Sequence, residues 1–328
     1  MKKKCFALLA CALLLTGCAA QAQTQEGFAM ATIVSQTVYA PSGDILARNY
    51  DTVRVLENSL SKTLPGSDIY RLNHEGGTVV FSSADTARVL ESCLFYAEQT
   101  GGAYDPALGR VAEAWGIGGD NPRVPSEEEL QKLLAASGYE KLRIDGDTAN
   151  AGGAWADLGG AAKGYALDAI KANLAEEGVT DALIAVGGSV YARGKKAGAA
   201  WKVGIRDPFS GAADYLATVE LTDLCISTSG SYERGFTQDG TYYHHILDPK
   251  TGYPVQNGLV SVSVINENGL LTDIYSTALF VMGLEAGMKH AEEHGIDALF
   301  VTEEKKIYRT DGFDYAFTLV GEGYRIEG

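Results

Sequence analysis

Two histidines stand side by side in a chain that contains only five. His244 and His245 are followed, after two intervening residues, by the sequence Asp-Pro-Lys-Thr-Gly, which is typical of a tight turn. The pair could supply a catalytic base or metal ligands, or it could simply end a strand before the turn. Because neighbouring residues of a strand point to opposite faces, we expect at most one of the two to reach a site. The sequence has no His-Glu-x-x-His or Cys-x-x-Cys motif to supply further ligands, which argues against zinc.

A carboxylate and a hydroxyl lie four residues apart in the apolar segment 270–283. On a helix, Asp273 and Thr277 would share one face and could converge on one point. Oxygen ligands of this kind suit Mg²⁺ better than zinc. The alternative is a helix N-terminus that is capped by Thr272 or Asp273. The spacing alone leaves both interpretations open and favours the cap.

Two glycines and a lysine precede or begin another predicted helix, in the segment 155–168. Asp157 and Lys163 are charged residues of this segment, and Gly159 and Gly160 are the two glycines between them. Glycines let a ligand approach the backbone, and a helix N-terminus favours phosphate. The order of residues matches neither a P-loop nor Gly-x-Gly-x-x-Gly. Tight packing of the helix start against a sheet explains the same residues equally well.

Two further stretches carry polar side chains that could contact a ligand. Asp105 follows a Gly-Gly turn and an aromatic residue, and Ser227, Thr228 and Ser229 lie at the end of a predicted strand. Small hydroxyls there could bind a polar ring or a phosphate. Because Gly-x-Ser-x-Gly is absent, we do not interpret Ser229 as a hydrolase nucleophile.

The elements that must position these residues follow from apolar periodicity and turn residues. Helices are predicted over 44–64, 83–100, 126–138, the second part of 151–178, and 270–295 as one or two helices. Strands are predicted within 28–40, 181–194, 201–208, 213–230, 240–249, 259–269 and 297–313, and a turn-rich loop over 65–77. Ser83 or Asp85 would cap the second helix, and Ser126 with Glu129 would form a capping box on the third. Strands and helices alternate irregularly and no repeat is present, so we predict a single α+β body.

The N-terminus predicts export. A basic start, a short apolar run and the sequence Leu-Thr-Gly before Cys18 resemble the signal and lipobox of bacterial lipoproteins. We expect residues 1–17 to be a signal peptide, Cys18 to be lipidated, residues 18–26 to form a tether and residues 27–328 to form the functional domain. The protein would then be anchored by its lipid to the bacterial cell membrane, on the periplasmic or extracellular face. An ordinary signal peptide cut after one of the nearby alanines is the alternative.

Cysteine content and charge exclude several classes of protein. Beyond the N-terminal segment only Cys93 and Cys225 remain, both in apolar surroundings, so we expect two buried thiols and no disulfide framework. The formal net charge is −15, without a basic stripe or tail. This charge argues against nucleic acid as a partner and means that an anionic ligand would need a local cation or a metal.

Seven motifs in this order resemble the FAD:protein FMN transferases, the ApbE-type flavin transferase family. They are MAT at 30–32, LPGSDIYRLN at 64–73, TGGAYDPALG at 100–109, DLGGAAKGYALD at 157–168, ISTSGSYER at 226–234, HILDPKTGYP at 245–254 and DIYSTALFVMG at 273–283. The resemblance implies an α+β, T-fold-like body with mixed sheets, flanking helices and a cofactor cleft between two halves. It also implies Mg²⁺ as cofactor, FAD as substrate, and transfer of FMN with release of AMP. The acceptor would be a threonine or serine of a partner protein, such as a subunit of a membrane redox complex or an extracellular electron-transfer protein.

The resemblance also implies roles for single residues. Asp273, Thr277 and the backbone of Gly160 would bind the metal. His245 would act as the general base, and His244 would be structural. The implied FAD-binding positions, of which Lys163 would also take part in catalysis, are Met30, Ala103, Tyr104, Asp105, Asp157, Lys163, Ser227, Thr228, Ser229 and Ile246.

The chain departs from the family pattern at two positions, and two other functions stay open. The frequent Met-Gly-Thr is Met-Ala-Thr here, and an aromatic residue common in the family is replaced by Thr63, which removes a ring that could stack on the flavin or adenine. One alternative is an FAD pyrophosphatase that releases FMN and AMP. The other is a flavin-binding lipoprotein without catalysis. The sequence does not decide the oligomeric state, and a homodimer is one alternative.

Overall fold

The computed structural model describes residues 21–39, 44–211 and 214–327. The expected signal peptide and Cys18 lie outside these ranges. Within them, no helix combines the length and the apolar character needed to cross a membrane.

A nine-stranded sheet forms the centre of the molecule. Its order is β1-β2-β6-β7-β10-β13-β14-β15-β17, and every neighbouring pair is antiparallel except β15 and β17. Smaller sheets have the orders β16-β9-β8, β3-β5-β4 and β11-β12. The strands are β1 Ala22–Ala29, β2 Thr32–Tyr39, β3 Thr78–Val80, β4 Arg143–Asp145, β5 Thr148–Asn150, β6 Asp181–Val186, β7 Ser189–Arg193, β8 Trp201–Arg206, β9 Tyr215–Leu221, β10 Leu224–Gly230, β11 Gly235–Gln238, β12 Thr241–His244, β13 Leu259–Asn266, β14 Asp297–Thr302, β15 Lys306–Arg309, β16 Phe317–Leu319 and β17 Arg325–Glu327.

Eight α-helices accompany these sheets in the described ranges. They are α1 Ile45–Leu60, α2 Asp68–His74, α3 Ala84–Gln99, α4 Gly109–Trp115, α5 Glu127–Ala136, α6 Ala162–Glu176, α7 Gly269–Met282 and α8 Leu284–Glu293. One face of the large sheet packs against α1 and α6 through residues such as Val38 and Ile184, and against α7 and α8 through Val262 and Phe300. The opposite face packs against the β16-β9-β8 sheet. The prediction of an α+β body is therefore confirmed.

The strongly periodic helices form where the sequence predicts them. Ser83 caps α3 by accepting a hydrogen bond from the Asp85 N–H, and Ser126 caps α5 by accepting one from Glu129. The segment 270–295 forms two helices, which separate at Gly283, where φ is +80°. Such a φ strains any side chain and favours glycine.

Two expectations about segments are wrong. The predicted loop 65–77 contains α2, whose N-terminus is capped by Ser67. Its buried Asp68 accepts hydrogen bonds from Ser82 and Ser83, so tertiary contacts stabilise a helix that is too short to show a period. The expected tether is the second case, because its residues from Ala22 onward pair with β2 as strand β1. A polar sequence can form such a strand because this strand lies at the edge of the sheet.

Candidate active site

The site is built around the contact between helices α6 and α7. A Cβ added at Gly164 would lie 2.1 Å from the Gly269 carbonyl oxygen, so only glycine allows the two backbones to approach this closely. The Asp168 carboxylate of α6 accepts hydrogen bonds from the N–H groups of Gly269 and Leu270, at 2.9 and 2.8 Å. These contacts fix the start of α7 against α6 and bring Asp273 beside the N-terminal turn of α6.

The predicted metal ligands lie together at this contact. Asp273 is only 4% exposed, and its Oδ2 accepts a hydrogen bond from the Gly164 N–H at 3.0 Å. Thr277 lies one turn further along α7, and a Cβ added at Gly160 would be 3.1 Å from its Oγ1. Ser229 approaches from β10, with its Oγ 3.1 Å from that same hydroxyl. The structure therefore brings Asp273, Thr277 and Gly160 into one cluster.

The alternative that Thr272 or Asp273 caps a helix is wrong. The N-cap of α7 is Asn268, whose Oδ1 accepts a hydrogen bond from the Leu271 N–H at 2.9 Å. Asp273 lies beyond the first turn of α7, so its carboxylate does not cap that helix.

The donor atoms of this cluster fit Mg²⁺ on chemical grounds. Asp273 offers a carboxylate, Thr277 a hydroxyl and Gly160 a backbone carbonyl, all of them oxygen donors. Within the described part of the chain, no group of three or more His, Cys, Asp or Glu side chains could hold a metal. The set thus carries one formal negative charge, which suits an ion whose remaining ligands are water and substrate phosphates, as is usual for Mg²⁺.

The two adjacent histidines have different environments. His244 ends β12 and is buried, with its Nε2 2.6 Å from the Val255 carbonyl and its ring edge-on to Phe280. Its Nδ1 accepts a hydrogen bond from the Ile246 N–H. Both ring nitrogens of His244 are used by these bonds, so its role is structural, as predicted.

His245 presents a free nitrogen to the cleft. Its Nδ1 lies 3.3 Å from the Arg234 carbonyl, which can only accept, so the proton of the neutral ring is on Nδ1. The Nε2 lone pair has no hydrogen-bond partner among the residues that the structure describes. Burial lowers the pKa of His245 to about 4, and the positive charges of Arg234 and Lys163 contribute to the shift. The neutral form, which can accept a proton, is therefore the form present at neutral pH.

Lys62 is a site residue that sequence reasoning missed. Its Nζ lies 2.5 Å from Oδ2 of Asp157, and the other oxygen of Asp157 accepts the Gly159 N–H at 3.0 Å. Burial acts to raise the pKa of Asp157, but Lys62 outweighs it and holds this pKa below its usual range. The only sequence signal was the position of Lys62 next to the exposed Thr63, where the motif resemblance leads one to expect an aromatic residue.

Glu233 and Arg234 also lie at the cleft, although only the motif that contains them was recognised. A Cβ added at Gly188 would be 3.2 Å from Glu233 Oε1. Part of the Glu233 side chain is exposed, but its carboxylate lies close to the protein. Burial of this carboxylate raises the pKa of Glu233, and the negative charge of Asp273 raises it further. Arg234 Nη2 donates to the Ala31 carbonyl at 3.2 Å and so ties the cleft to the β1–β2 hairpin.

Several residues at the implied FAD-binding positions have side chains that pack in the interior next to the site. The Ser227 hydroxyl is fully buried between Ser189 and Thr272, and Thr228 bonds to Ser263 on the other face of the strand. Ile246 belongs to the core beside α7 and α8. The side chains of Ser227 and Ile246 therefore hold the sheet and helices together.

The segment 103–105 lies under Gly160 and beside Asp157. A Cβ added at Gly160 would meet the ring of buried Tyr104 at 3.2 Å, and the hydroxyl of Tyr104 bonds to Cys93. Asp105 accepts hydrogen bonds from the N–H groups of Ala107 and Tyr139, while burial raises its pKa to about 6. Ala103 is half-buried against the same core. Cys93 and Cys225 are both buried free thiols, as expected.

The Met-Ala-Thr segment forms a two-residue hairpin turn. Met30 and Ala31 have φ of +52° and +55°, as the turns that join twisted strands require. The Met30 N–H donates to the Glu57 carboxylate at 2.9 Å. The alanine therefore keeps the turn, at the cost of a left-handed conformation that glycine would adopt without strain.

The candidate site is identified by its charged groups and not by a deep cavity. A surface cavity of about 600 Å³ lies along α1, where it is lined by residues that include Arg48, Asp51 and Asp85. None of the candidate metal-binding, FAD-binding or catalytic residues lines this cavity. The cluster at α6, α7 and β10 is where a base, cations and oxygen donors meet.

Comparisons with known proteins cover almost all of this body. A family model described as the ApbE family matches residues 30–300. A Treponema pallidum protein named FAD:protein FMN transferase is 31% identical, with coverage of 95% of this chain and 96% of its own length. One from Vibrio cholerae with the same name is 32% identical, with coverage of 94% and 95%.

Solved structures show the same fold. The ApbE protein of Thermotoga maritima superposes with a TM-score of 0.83 at 33% identity, covering 89% of this chain and 98% of its own. The apo flavinyl transferase ApbE of Pseudomonas stutzeri gives a TM-score of 0.80 at 31% identity, covering 90% and 96%. The likeness thus spans the whole body that carries the cleft, rather than one motif.

Proposed function

The chain belongs to the ApbE family, and we infer that it is an enzyme that transfers FMN from FAD to a partner protein. We further propose that the reaction depends on Mg²⁺ and that the acceptor group is a threonine or serine hydroxyl. The observation that supports this proposal most strongly is the placement of a histidine with a free Nε2 beside a compact set of oxygen donors. In a phosphoryl transfer to a hydroxyl, a base can take the hydroxyl proton, and oxygen donors can hold a cation that neutralises charge on the phosphates.

The proposed step exchanges the phosphoanhydride linkage of FAD for a phosphoester linkage to the acceptor. The acceptor oxygen attacks the phosphorus of the FMN half of FAD, and the bond from this phosphorus to the bridging oxygen breaks. AMP leaves with that oxygen, FMN becomes bound to the acceptor, and the hydroxyl proton passes to Nε2 of His245. Mg²⁺, when bound by Asp273, Thr277 and the Gly160 carbonyl, would neutralise charge on the phosphates.

The cations of the cleft would bind the pyrophosphate of FAD. Lys62, Lys163 and Arg234 supply local positive charge in a chain whose formal net charge is −15. Lys163 belongs to the first turn of α6, whose N-terminus also favours phosphate. Binding of the pyrophosphate would add negative charge near His245, which would raise its pKa and make it a stronger base.

We also propose that the protein acts at a membrane surface. The sequence before Cys18 supports lipidation, and the family resemblance points to subunits of membrane redox complexes or extracellular electron-transfer proteins as acceptors. Replacement Cys18→Ser should move the protein from the membrane fraction to the soluble fraction of cells. Cys5→Ser, inside the expected signal peptide, is the matched control and should leave membrane attachment unchanged.

An in-gel fluorescence experiment tests the proposed reaction. The purified protein is incubated with FAD, Mg²⁺ and the soluble domain of a flavin-carrying redox subunit, and the denaturing gel is imaged for flavin. We expect fluorescence at the position of the acceptor, and its loss with Asp273→Ala or when the acceptor hydroxyl is removed. Free FMN without a labelled acceptor would instead support an FAD pyrophosphatase, and unchanged FAD would support a binding protein.

A further inference from the structure

Lys163 occupies an unusual position for a residue expected to bind a substrate phosphate. Its Nζ lies 3.3 Å from Oδ1 and 3.4 Å from Oδ2 of Asp273, and 2.9 Å from the carbonyl oxygen of Gly159. Three oxygen atoms from two parts of the chain thus surround one ammonium group. This arrangement resembles the oxygen shell of a bound cation.

The carboxylate that holds this ammonium is the one that the proposed metal site needs. Asp273 has a second partner, the Gly164 N–H, and is almost closed to solvent. A divalent cation bound to Asp273 would lie within a few ångströms of the Lys163 ammonium, and two close like charges repel strongly in a site with little water. The ammonium and the metal therefore compete for the same carboxylate.

We propose that the Lys163 ammonium stands in for the metal in the substrate-free protein and moves to the FAD phosphates when metal and FAD bind together. Metal alone then binds weakly, because it must displace an ammonium whose only salt-bridge partner in the described part of the chain is Asp273. FAD supplies that anion, so FAD and metal bind cooperatively. This inference rests on the metal-dependent reaction proposed above.

The side chain of Lys163 can make this movement. It starts from the first turn of α6, has a long flexible stem, and is partly exposed at the cleft. The Glu233 carboxylate is close enough to interact electrostatically with Lys163 and Asp273, but it forms no salt bridge with Lys163 in the described part of the chain. By contrast, Lys62 pairs with Asp157 and is not bonded to Asp273. The chain therefore offers a second cleft lysine that should not guard the metal.

Binding of Mn²⁺ to the substrate-free, full-length protein tests the inference. The free ion is followed by electron paramagnetic resonance for the wild type, Lys163→Met and the control Lys62→Met. A charge within about 4–6 Å changes the proton affinity of a carboxylate by about tenfold to a thousandfold. We therefore expect Lys163→Met to bind Mn²⁺ at least about ten times more tightly than the wild type, and Lys62→Met to stay within about twofold.

Two further measurements make every outcome informative. Adding Asp273→Asn to Lys163→Met should abolish the gain in Mn²⁺ affinity. If Lys163→Met does not unfold cooperatively as a folded protein does, Lys163→Gln takes its place. Equal Mn²⁺ affinity in wild type and Lys163→Met, with Mn²⁺ binding to both when FAD is present, would overturn the inference alone. No Mn²⁺ binding to wild type at Asp273 even with FAD would contradict the proposed metal-dependent function itself.

Discussion

At the scale of single residues, His245 is the group whose environment determines the chemistry most directly. Its proton-bearing Nδ1 faces the Arg234 carbonyl, and its Nε2 is open to the cleft. Its neighbour His244 is fixed in the core through both ring nitrogens. His244 is the last residue of β12 and His245 is the first residue after it, so the end of the strand separates the two environments.

Replacing His245 should slow the reaction without removing substrate binding. General-base help contributes about 10²–10⁴-fold to a rate, so we expect His245→Gln to lose transfer activity by roughly that factor. FAD affinity, measured by fluorescence titration, should change little because the phosphates are bound by other cations. The matched control is His294→Gln, because His294 is an exposed histidine at the C-cap of α8. Equal losses of affinity and rate in His245→Gln would contradict a role as base.

The lowered pKa of His245 predicts an unusual pH profile. Because the neutral ring is the active form, kcat/KM should stay level as pH falls from 8 to about 5 and decline only near the pKa of about 4. In the FAD complex the added negative charge should shift the kcat limb to higher pH. If kcat/KM instead declined near the ordinary histidine pKa of 6.5, and this decline were absent in His245→Gln, the lowered pKa of His245 in the free enzyme would be contradicted.

The same shift affects stability in a defined direction. The folded-state pKa lies below the ordinary value of 6.5, so between pH of about 4 and 6.5 the unfolded chain binds more protons at this residue. His245 therefore makes the folded protein relatively more stable as pH rises through that window. Asp105 acts oppositely, because burial raises its pKa to about 6 and its folded form holds the proton longer.

Residue roles could be predicted from the sequence only where spacing or a motif carried them. The i, i+4 spacing of Asp273 and Thr277 left a metal pair and a helix cap open, and the cap was the favoured alternative. The structure excludes the cap, because Asn268 starts the helix, and the metal pair stays a prediction. Lys62 could not be predicted, since its partner Asp157 lies 95 positions away in the chain and only the fold brings them together.

At the scale of elements, the contact between α6 and α7 positions the oxygen donors. Gly164 allows the close approach, and Asp168 ties the first N–H groups of α7 to α6. The predicted metal ligands are therefore positioned by helix packing, whereas His245 comes from the segment that follows β12.

Removing the tie between the helices should weaken metal binding more than it weakens the fold. Loss of a helix cap costs about 0.5–2 kcal/mol, and we expect Asp168→Ala and Asn268→Ala to lower the free energy of unfolding by similar amounts in that range. Only Asp168→Ala should raise the Mg²⁺ concentration needed for half-maximal activity, because Asn268 caps α7 without reaching α6. A denaturant titration beside an Mg²⁺ titration measures both. Equal Mg²⁺ requirements in the two variants would contradict a positioning role for Asp168.

Long periodic elements are the part of the fold that the sequence predicts well. Helices α1, α3 and α5 follow their apolar spacing, and α3 and α5 also begin at the predicted caps. The short helices α2 and α4 were missed, because a helix of seven residues has too few turns to show a period and depends on tertiary contacts. Order and register of the nine strands likewise depend on long-range pairing that no local pattern encodes.

At the scale of the whole molecule, an acidic body surrounds a small cationic cleft. The negative charge disfavours free nucleotides except where Lys62, Lys163, Arg234 and a metal offset it. The fold positions the site through α6, α7 and β10, with both helices packed on one face of the large sheet.

Joint binding of FAD and metal should therefore show in the stability of the whole protein. A ligand at 100 times its Kd stabilises the folded state by about 2.7 kcal/mol. We expect FAD with Mg²⁺ to raise the Tm by several degrees, FAD alone to raise it less, and Mg²⁺ alone to leave it nearly unchanged. In Asp273→Ala, Mg²⁺ should add nothing to the effect of FAD. A full shift with FAD in the presence of a chelator would contradict joint binding.

The most direct measurement of the central claim is the mass of the acceptor together with the amount of AMP released. After incubation with FAD and Mg²⁺, intact-mass spectrometry of the acceptor and chromatography of the nucleotides are carried out on the same sample. We predict that the acceptor gains one FMN through a bond that survives denaturation, with one AMP released for each FMN attached. An acceptor of unchanged mass beside equal amounts of free FMN and AMP would contradict the transfer.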